Sequence, residues 1–79
     1  MATQFIIAPY TYKVQEEDQF LTIQILENNN HIATTEYYIQ DQDFTYINFT
    51  SQYQDPEFQL LFKNSVQEEL LSIAKEMTE

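Results

Sequence analysis

The chemistry available to this chain is largely that of carboxylates, because most other reactive side chains are scarce. Its 79 residues include 13 Asp and Glu, one histidine and no cysteine. His31 follows three asparagines, and a catalytic histidine would need a nucleophile and an orienting acid beside it, so we interpret His31 as a solvated turn residue. One histidine without cysteine is also not a zinc ligand set. The sequence therefore predicts no catalytic residue, no metal and no cofactor.

The carboxylates themselves fit no known site pattern. Two clusters stand out, Glu16 to Asp18 and the pair Asp41 and Asp43. A calcium loop needs a fixed ligand spacing and a glycine at its bend, and the chain has no glycine, which also excludes the Gly-rich phosphate-binding loops. A glycosidase acid pair would need a cleft, for which so short a chain leaves little room.

Charge is the strongest functional signal in the composition. A formal net charge of −10 attracts a basic partner over a distance and repels nucleic acid phosphates and anionic lipid. The alternative interpretation is that the acidity only keeps a small protein soluble. The absence of cysteine and of a signal-like segment favours the cytoplasm.

Residues up to about position 50 alternate with period two, which is typical of strands. Four antiparallel strands are predicted within residues 4–50. The first, Gln4 to Val14, contains Pro9, so it should be an edge strand, carry a bulge or consist of two short pieces. The remaining strands are expected at 20–27, 31–40 and 44–50, with turns at 15–19, 28–30 and 41–43.

Residues 55–78 have helical periodicity, and Asp55-Pro56-Glu57 is a typical helix start. The pattern allows one helix of about 22 residues or two helices that meet near Asn64, where Ser65 to Glu68 matches a capping box. The helical region has one apolar stripe, which should pack on the sheet and bury Leu61 and Leu70. The stripe comprises Phe58, Leu61, Phe62, Val66, Leu70, Ile73 and Met77.

The chain, residues 1–79, is thus predicted to be a single α+β domain. We expect a four-stranded antiparallel β-meander followed by one long or two short C-terminal helices packed on one sheet face. The packed face should carry Leu21, Ile23, Ile25, Ala33, Tyr37, Ile39, Ile47 and Phe49. The opposite, open face should carry Thr22, Gln24, Thr34, Glu36, Tyr38, Phe44, Tyr46 and Asn48, with Tyr10 or Tyr12 as a further member.

Tyrosine beside acids suits a protein interface, although Thr and Tyr are also simply good strand formers. The acids would attract a basic partner and the tyrosines would anchor it. On a strand, residues i and i+2 lie about 6.6 Å apart, close to the spacing of successive phosphates, and Asp41 and Asp43 are candidates for such a row. The predicted partner-binding residues are Glu16, Glu17, Asp18, Glu36, Tyr38, Asp41, Asp43 and Tyr46.

In its small size, its negative charge and its lack of cysteine and glycine, the chain resembles the small acidic inhibitors that phages make against host defence or host DNA enzymes, including anti-CRISPR proteins. The resemblance is one of composition and size, and it carries no residue roles. It implies a DNA-mimic inhibitor, not an enzyme, that blocks a basic nucleic-acid-binding enzyme of the host. The alternative is a generic regulatory or assembly module that binds a protein partner through its Tyr-rich sheet face. Direct binding to nucleic acid or membrane is not expected, and a homodimer is left open.

Overall fold

The computed structural model describes residues 2–78, which form an antiparallel sheet followed by one helix. The strands pair in chain order from β1 to β5, and β6 also pairs with β4. The helix, α1, packs on one sheet face, which confirms the predicted α+β architecture. The elements are β1 (Ala2–Ile7), β2 (Tyr10–Glu16), β3 (Phe20–Glu27), β4 (Asn30–Tyr38), β5 (Asp43–Phe44), β6 (Asn48–Phe49) and α1 (Pro56–Thr78).

The first expected strand is in fact two strands. β1 and β2 form a hairpin that turns at Ala8 and Pro9, whose peptide bond is cis. Proline has no N–H to donate to a ladder, so the chain turns at Pro9 instead of continuing the strand. Of the three alternatives left open for this segment, two short pieces is the one confirmed. The hairpin places β1 at the edge of the sheet.

β3 lies where it was predicted, and its side chains Leu21, Ile23 and Ile25 are fully buried. Asn28 and Asn29 form the turn to β4 with φ angles of 52° and 67°, in the left-handed region that asparagine tolerates better than most residues. The turn chemistry predicted from the three asparagines is therefore confirmed.

β4 contains an irregularity that alternation could not predict. Ile25 lies opposite Ala33, whereas Leu26 lies opposite His31, so Ile32 is an extra residue in a bulge. Its side chain is nevertheless fully buried in the core. A bulge shifts the in-and-out alternation of a strand by one residue, which explains why both Ile32 and Ala33 point into the core.

The fourth predicted strand is broken into β5 and β6. Tyr37 lies opposite Phe44 and Thr34 opposite Asn48, so residues 45–47 face only two residues of β4. The shift turns Phe44 towards the helix side, where its ring lies 4.8 Å from that of buried Tyr37. The prediction that Phe44 belongs to the open face was therefore wrong.

The helix is continuous, so the single-helix alternative is confirmed. Asp55 Oδ2 accepts a hydrogen bond of 2.9 Å from the Phe58 N–H and caps its start. Ser65 does not begin a second helix, since its hydroxyl donates to the Phe62 carbonyl within α1. The buried helix residues are Phe62, Val66, Leu70, Ile73 and Ala74.

Leu61 is 63% exposed, so the prediction that it is buried was wrong, whereas Leu70, 5% exposed, is in the core. Leu61 lies five residues from Val66, which corresponds to about 140° around the helix axis. Apolar residues spaced three and four apart therefore span a wider arc of the helix surface than the sheet covers.

Tyr10 and Tyr12 also lie on the helix side, which corrects the expectation that one of them joins the open face. Tyr12 pairs with Ile25, and directly opposite residues share a sheet face, so Tyr12 is fully buried with the β3 core. Tyr10 is half-buried and meets Phe62 edge to face, with ring centroids 5.3 Å apart.

Candidate partner-binding site

The meander brings the two acidic turns to the same end of the sheet. Alternate turns of an antiparallel meander lie together, and here the Ile39 N–H donates a 3.1 Å hydrogen bond to the Gln19 carbonyl between them. The turn before β3 and the turn after β4 therefore form one continuous rim. We define the acidic end as the six carboxylates on or next to this rim: Glu16, Glu17, Asp18, Glu36, Asp41 and Asp43.

An aromatic pair lies within the acidic end, on the open face of the sheet. Phe20, the first residue of β3, pairs with Tyr38, the last of β4, and their ring centroids are 5.5 Å apart. Phe20 also borders a shallow concavity together with Glu16, Glu17 and Asp18. Sequence reasoning missed Phe20, because the register of the asparagine turn alone would set it opposite Tyr37, and the bulge at Ile32 moves its partner to Tyr38.

The tyrosine of this pair is tied to one of the acids. The Tyr38 hydroxyl donates a 3.2 Å hydrogen bond to Glu36 Oε1. This bond, with the negative charge of Glu36, raises the pKa of Tyr38, because ionising the phenol would lose the donor and add a second anion. Tyr38 therefore stays a neutral hydrogen-bond donor beside a carboxylate.

Asp41 and Asp43 do not form the phosphate-like row that was expected of them. Gln42 between them has φ of 53°, in the left-handed region, so this segment is a turn and not an extended strand. Asp43 Oδ1 accepts a 2.9 Å hydrogen bond from the Phe44 N–H. Spacing of i and i+2 along a strand therefore does not apply to this pair, and the acidic end is a cluster of carboxylates instead of a regular row.

Tyr46 lies apart from the other predicted site residues. Its side chain is 77% exposed and borders a cleft of about 360 Å³ between α1 and the segment that joins β5 to β6. Lys63, Gln67 and Leu71 line the helix side of this cleft, and Asp43 is the one predicted acid that also reaches it. The structure thus brings together seven of the eight predicted site residues, and Tyr46 lies apart from all of these except Asp43.

The described part of the chain contains three lysines, and only one is close to the acidic end. Lys75, in the last turn of α1, lines a hollow with Tyr37 of β4 and Gln42 of the turn that follows β4. Lys13 lies on the open face opposite Gln24, and the Lys63 ammonium lies 6.0 Å from the centre of the Phe49 ring. Lys75 therefore offsets only part of the charge of six carboxylates.

The open face is less rich in tyrosine than expected, since Tyr38 is its one clear member among the described tyrosines.

His31 is exposed, and its Nε2 makes local contacts with Ala33 O at 3.0 Å and Thr34 Oγ1 at 2.7 Å. Within residues 2–78, no group of three or more His, Cys, Asp or Glu is placed to hold a metal.

Helix α1 lacks an apolar stretch of the length needed to cross a bilayer. Comparisons with family models, with curated proteins and with solved structures found no match for this chain. The functional interpretation consequently depends on the geometry and the charge of the acidic end.

Proposed function

We propose that this chain is a small acidic binding protein, not an enzyme, whose acidic end occupies a basic surface of a protein partner. The partner is a nucleic-acid-binding enzyme, and the chain inhibits it in the manner of phage-type DNA mimics such as anti-CRISPR proteins. The observation that carries the proposal is the meeting of two acidic turns around the aromatic pair of half-buried Phe20 and Tyr38, the latter 36% exposed.

The charge of the acidic end supports a fast, salt-sensitive association. Six carboxylates at one end of a chain with net charge −10 attract a basic surface over a distance longer than any direct contact. Such long-range attraction raises the association rate and weakens as salt is added, because ions screen exposed charges.

The aromatic pair supports retention once contact is made. Tyrosine and phenylalanine contribute large contact area with few rotatable bonds, and a few such residues usually dominate the short-range binding energy. Phe20 and Tyr38 lie among the acids, so a lysine or arginine that pairs with a carboxylate could place its aliphatic stem on these rings.

Inhibition follows from competition. A basic surface that binds phosphates and is covered by the acidic end is no longer accessible to nucleic acid. The proposal needs only overlap of the two binding surfaces, and it does not require the carboxylates to copy the phosphate spacing.

The test uses two variants with the same net charge. Glu17→Lys/Asp41→Lys changes one exposed acid in each turn of the acidic end, and Glu57→Lys/Glu68→Lys changes two exposed acids on α1. A partner is captured from lysate at low salt with the unmodified chain and purified, and its affinity for each variant is measured across a salt series. Reversal at the acidic end should weaken low-salt binding about tenfold and flatten its salt dependence, with a smaller effect in the control.

Two further measurements decide between the proposal and its alternative. Duplex DNA or RNA should displace the chain from its partner, and the chain should inhibit the partner's activity on nucleic acid. Equal binding of both variants, or binding that persists at high salt, would favour a generic interaction module held by a packed interface and would overturn the proposal.

A further inference from the structure

The edge strand β1 is an uncharged segment at the surface of this acidic chain. Its six residues, Ala2–Ile7, carry no charged side chain, and within the described residues it pairs only with β2. Ile6 on the open face is 73% exposed, while Phe5 and Ile7 are only half-buried under the margin of the core. A regular, uncharged edge strand offers backbone N–H and C=O groups to another strand.

The opposite edge of the sheet is built differently. β5 and β6 have two residues each and are separated by the irregular segment 45–47. Short, interrupted strands of this kind are a common protection against edge pairing. If β1 paired with that edge of another copy, further copies would add to the sheet without closing it. The segment 45–47 prevents such pairing, because it leaves too few consecutive residues for a ladder of hydrogen bonds.

We propose that two copies of the chain pair through β1, antiparallel and about a two-fold axis, to form one continuous sheet with both helices on the same side. The two-fold axis is perpendicular to the sheet, so each residue and its copy lie on the same face. Directly opposite residues also share a face, so both members of an opposing pair must have odd numbers or both must have even numbers. The axis therefore passes next to one residue and not between two residues. Centring on Phe5 sets Phe5 against its copy, Gln4 against Ile6 and Thr3 against Ile7. This register covers the exposed Ile6 and the open sides of Phe5 and Ile7.

The charge distribution favours a second copy over a foreign strand as the occupant. β1 begins beside the acidic end, where Ala2 pairs with Gln15, and ends at the far turn, where Ile7 pairs with Tyr10. Antiparallel pairing therefore places the two acidic ends at opposite ends of the joined sheet, which minimises their repulsion.

A basic strand would find no carboxylate on this edge. Among the β2 residues that pair directly with β1, the charged one is Lys13, opposite Gln4. The two Lys13 side chains of a dimer would be three strand spacings apart, about 14 Å, which exceeds the screening length of about 8 Å at physiological salt. A neutral strand such as β1 itself fits this edge best.

The test is the mass of the chain in solution across a range of concentrations, by sedimentation equilibrium, for the parent and two matched variants. Ile6→Lys and Leu61→Lys each replace a well-exposed apolar side chain, 73% and 63% exposed respectively, and each adds one positive charge. Ile6→Lys should raise the dissociation constant of the dimer at least tenfold, and Leu61→Lys should leave it unchanged. A parent that stays monomeric up to millimolar concentration, or equal effects of both lysines, would overturn the proposal.

A second measurement tests the register and does not depend on how a lysine affects folding. The chain has no cysteine, so Phe5→Cys introduces a single thiol next to the proposed axis, and Leu60→Cys places one on exposed α1 as a control. Directly opposite residues have Cβ atoms about 4.5–5.5 Å apart, close to the reach of a disulfide. Mild oxidation should cross-link Phe5→Cys into a dimer far faster than Leu60→Cys, and equal rates would contradict the register. Both tests leave the acidic end unchanged, so their failure would not bear on the proposed inhibitor function.

Discussion

The packed face of the sheet and the acidic end depend on different physical interactions: close packing on the one and exposed charge at the other. On the packed face, side chains such as Leu21, Ile23 and Ile25 are fully enclosed, so each depends on the shape of its neighbours. At the acidic end the carboxylates are mostly exposed, and what they share is charge. Substitution should therefore affect folding strongly on the packed face and only weakly at the acidic end, where it should affect binding instead.

The largest difference should appear between two leucines of the same helix. Leu70→Ala removes a side chain that is 5% exposed and should lower the free energy of unfolding by about 2–5 kcal/mol. Leu61→Ala removes one that is 63% exposed and should change it by about 0.5 kcal/mol or less. Urea denaturation of both variants measures the difference, and similar losses would mean that Leu61 packs against something absent from this fold.

A smaller effect is expected at Tyr12, a core residue with a polar atom. Its hydroxyl is buried without a hydrogen-bond partner among the described residues, and burial, with a further contribution from Glu69, raises the pKa of Tyr12. Because the hydroxyl gains nothing in the fold, Tyr12→Phe should stabilise the chain by about 1 kcal/mol near neutral pH. Tyr46→Phe, at a side chain that is 77% exposed, is the matched control and should have no effect.

The same pair of variants also tests the pH dependence. In the unfolded chain Tyr12 ionises near its ordinary pKa of about 10, while in the fold it stays protonated. The unfolded state therefore binds fewer protons above that pH, and the contribution of Tyr12 to stability declines as pH rises. Part of the alkaline loss of stability should disappear in Tyr12→Phe and persist in Tyr46→Phe. An identical alkaline profile for the two variants would show that the Tyr12 hydroxyl is accessible to solvent.

The packed face also shows where sequence patterns can and cannot predict the fold. Period-two alternation is local, so it placed Leu21, Ile23 and Ile25 correctly, and the asparagine turn and the Asp55 cap follow from local chemistry. Bulges and breaks are set by pairing with a neighbouring strand, and they placed Ile32 in the core and Phe44 against its margin.

The candidate site was predictable in its composition but not in its arrangement. Glu16 to Asp18 and Asp41 are 23 or more residues apart in the chain, and only the meander topology brings them together. Phe20 belongs to the site and Tyr46 does not, for the same reason. The register between β3 and β4 places Phe20 opposite Tyr38, and the break after β5 places Tyr46 at the cleft beside α1.

The smallest stability effect should come from the acidic end itself. Exposed like charges repel each other weakly, so Glu17→Lys/Asp41→Lys should stabilise the fold by less than about 1 kcal/mol at low salt. At 1 M salt the screening length is about 3 Å, and the gain should vanish. Glu57→Lys/Glu68→Lys gives the same net charge but puts a cation in the first turn of α1, where the helix dipole disfavours it, so this control should not gain stability. Urea denaturation at both salt concentrations makes the comparison. A gain of equal size in the two variants would mean that total charge, and not the clustering of acids at one end, determines the electrostatic strain of this fold.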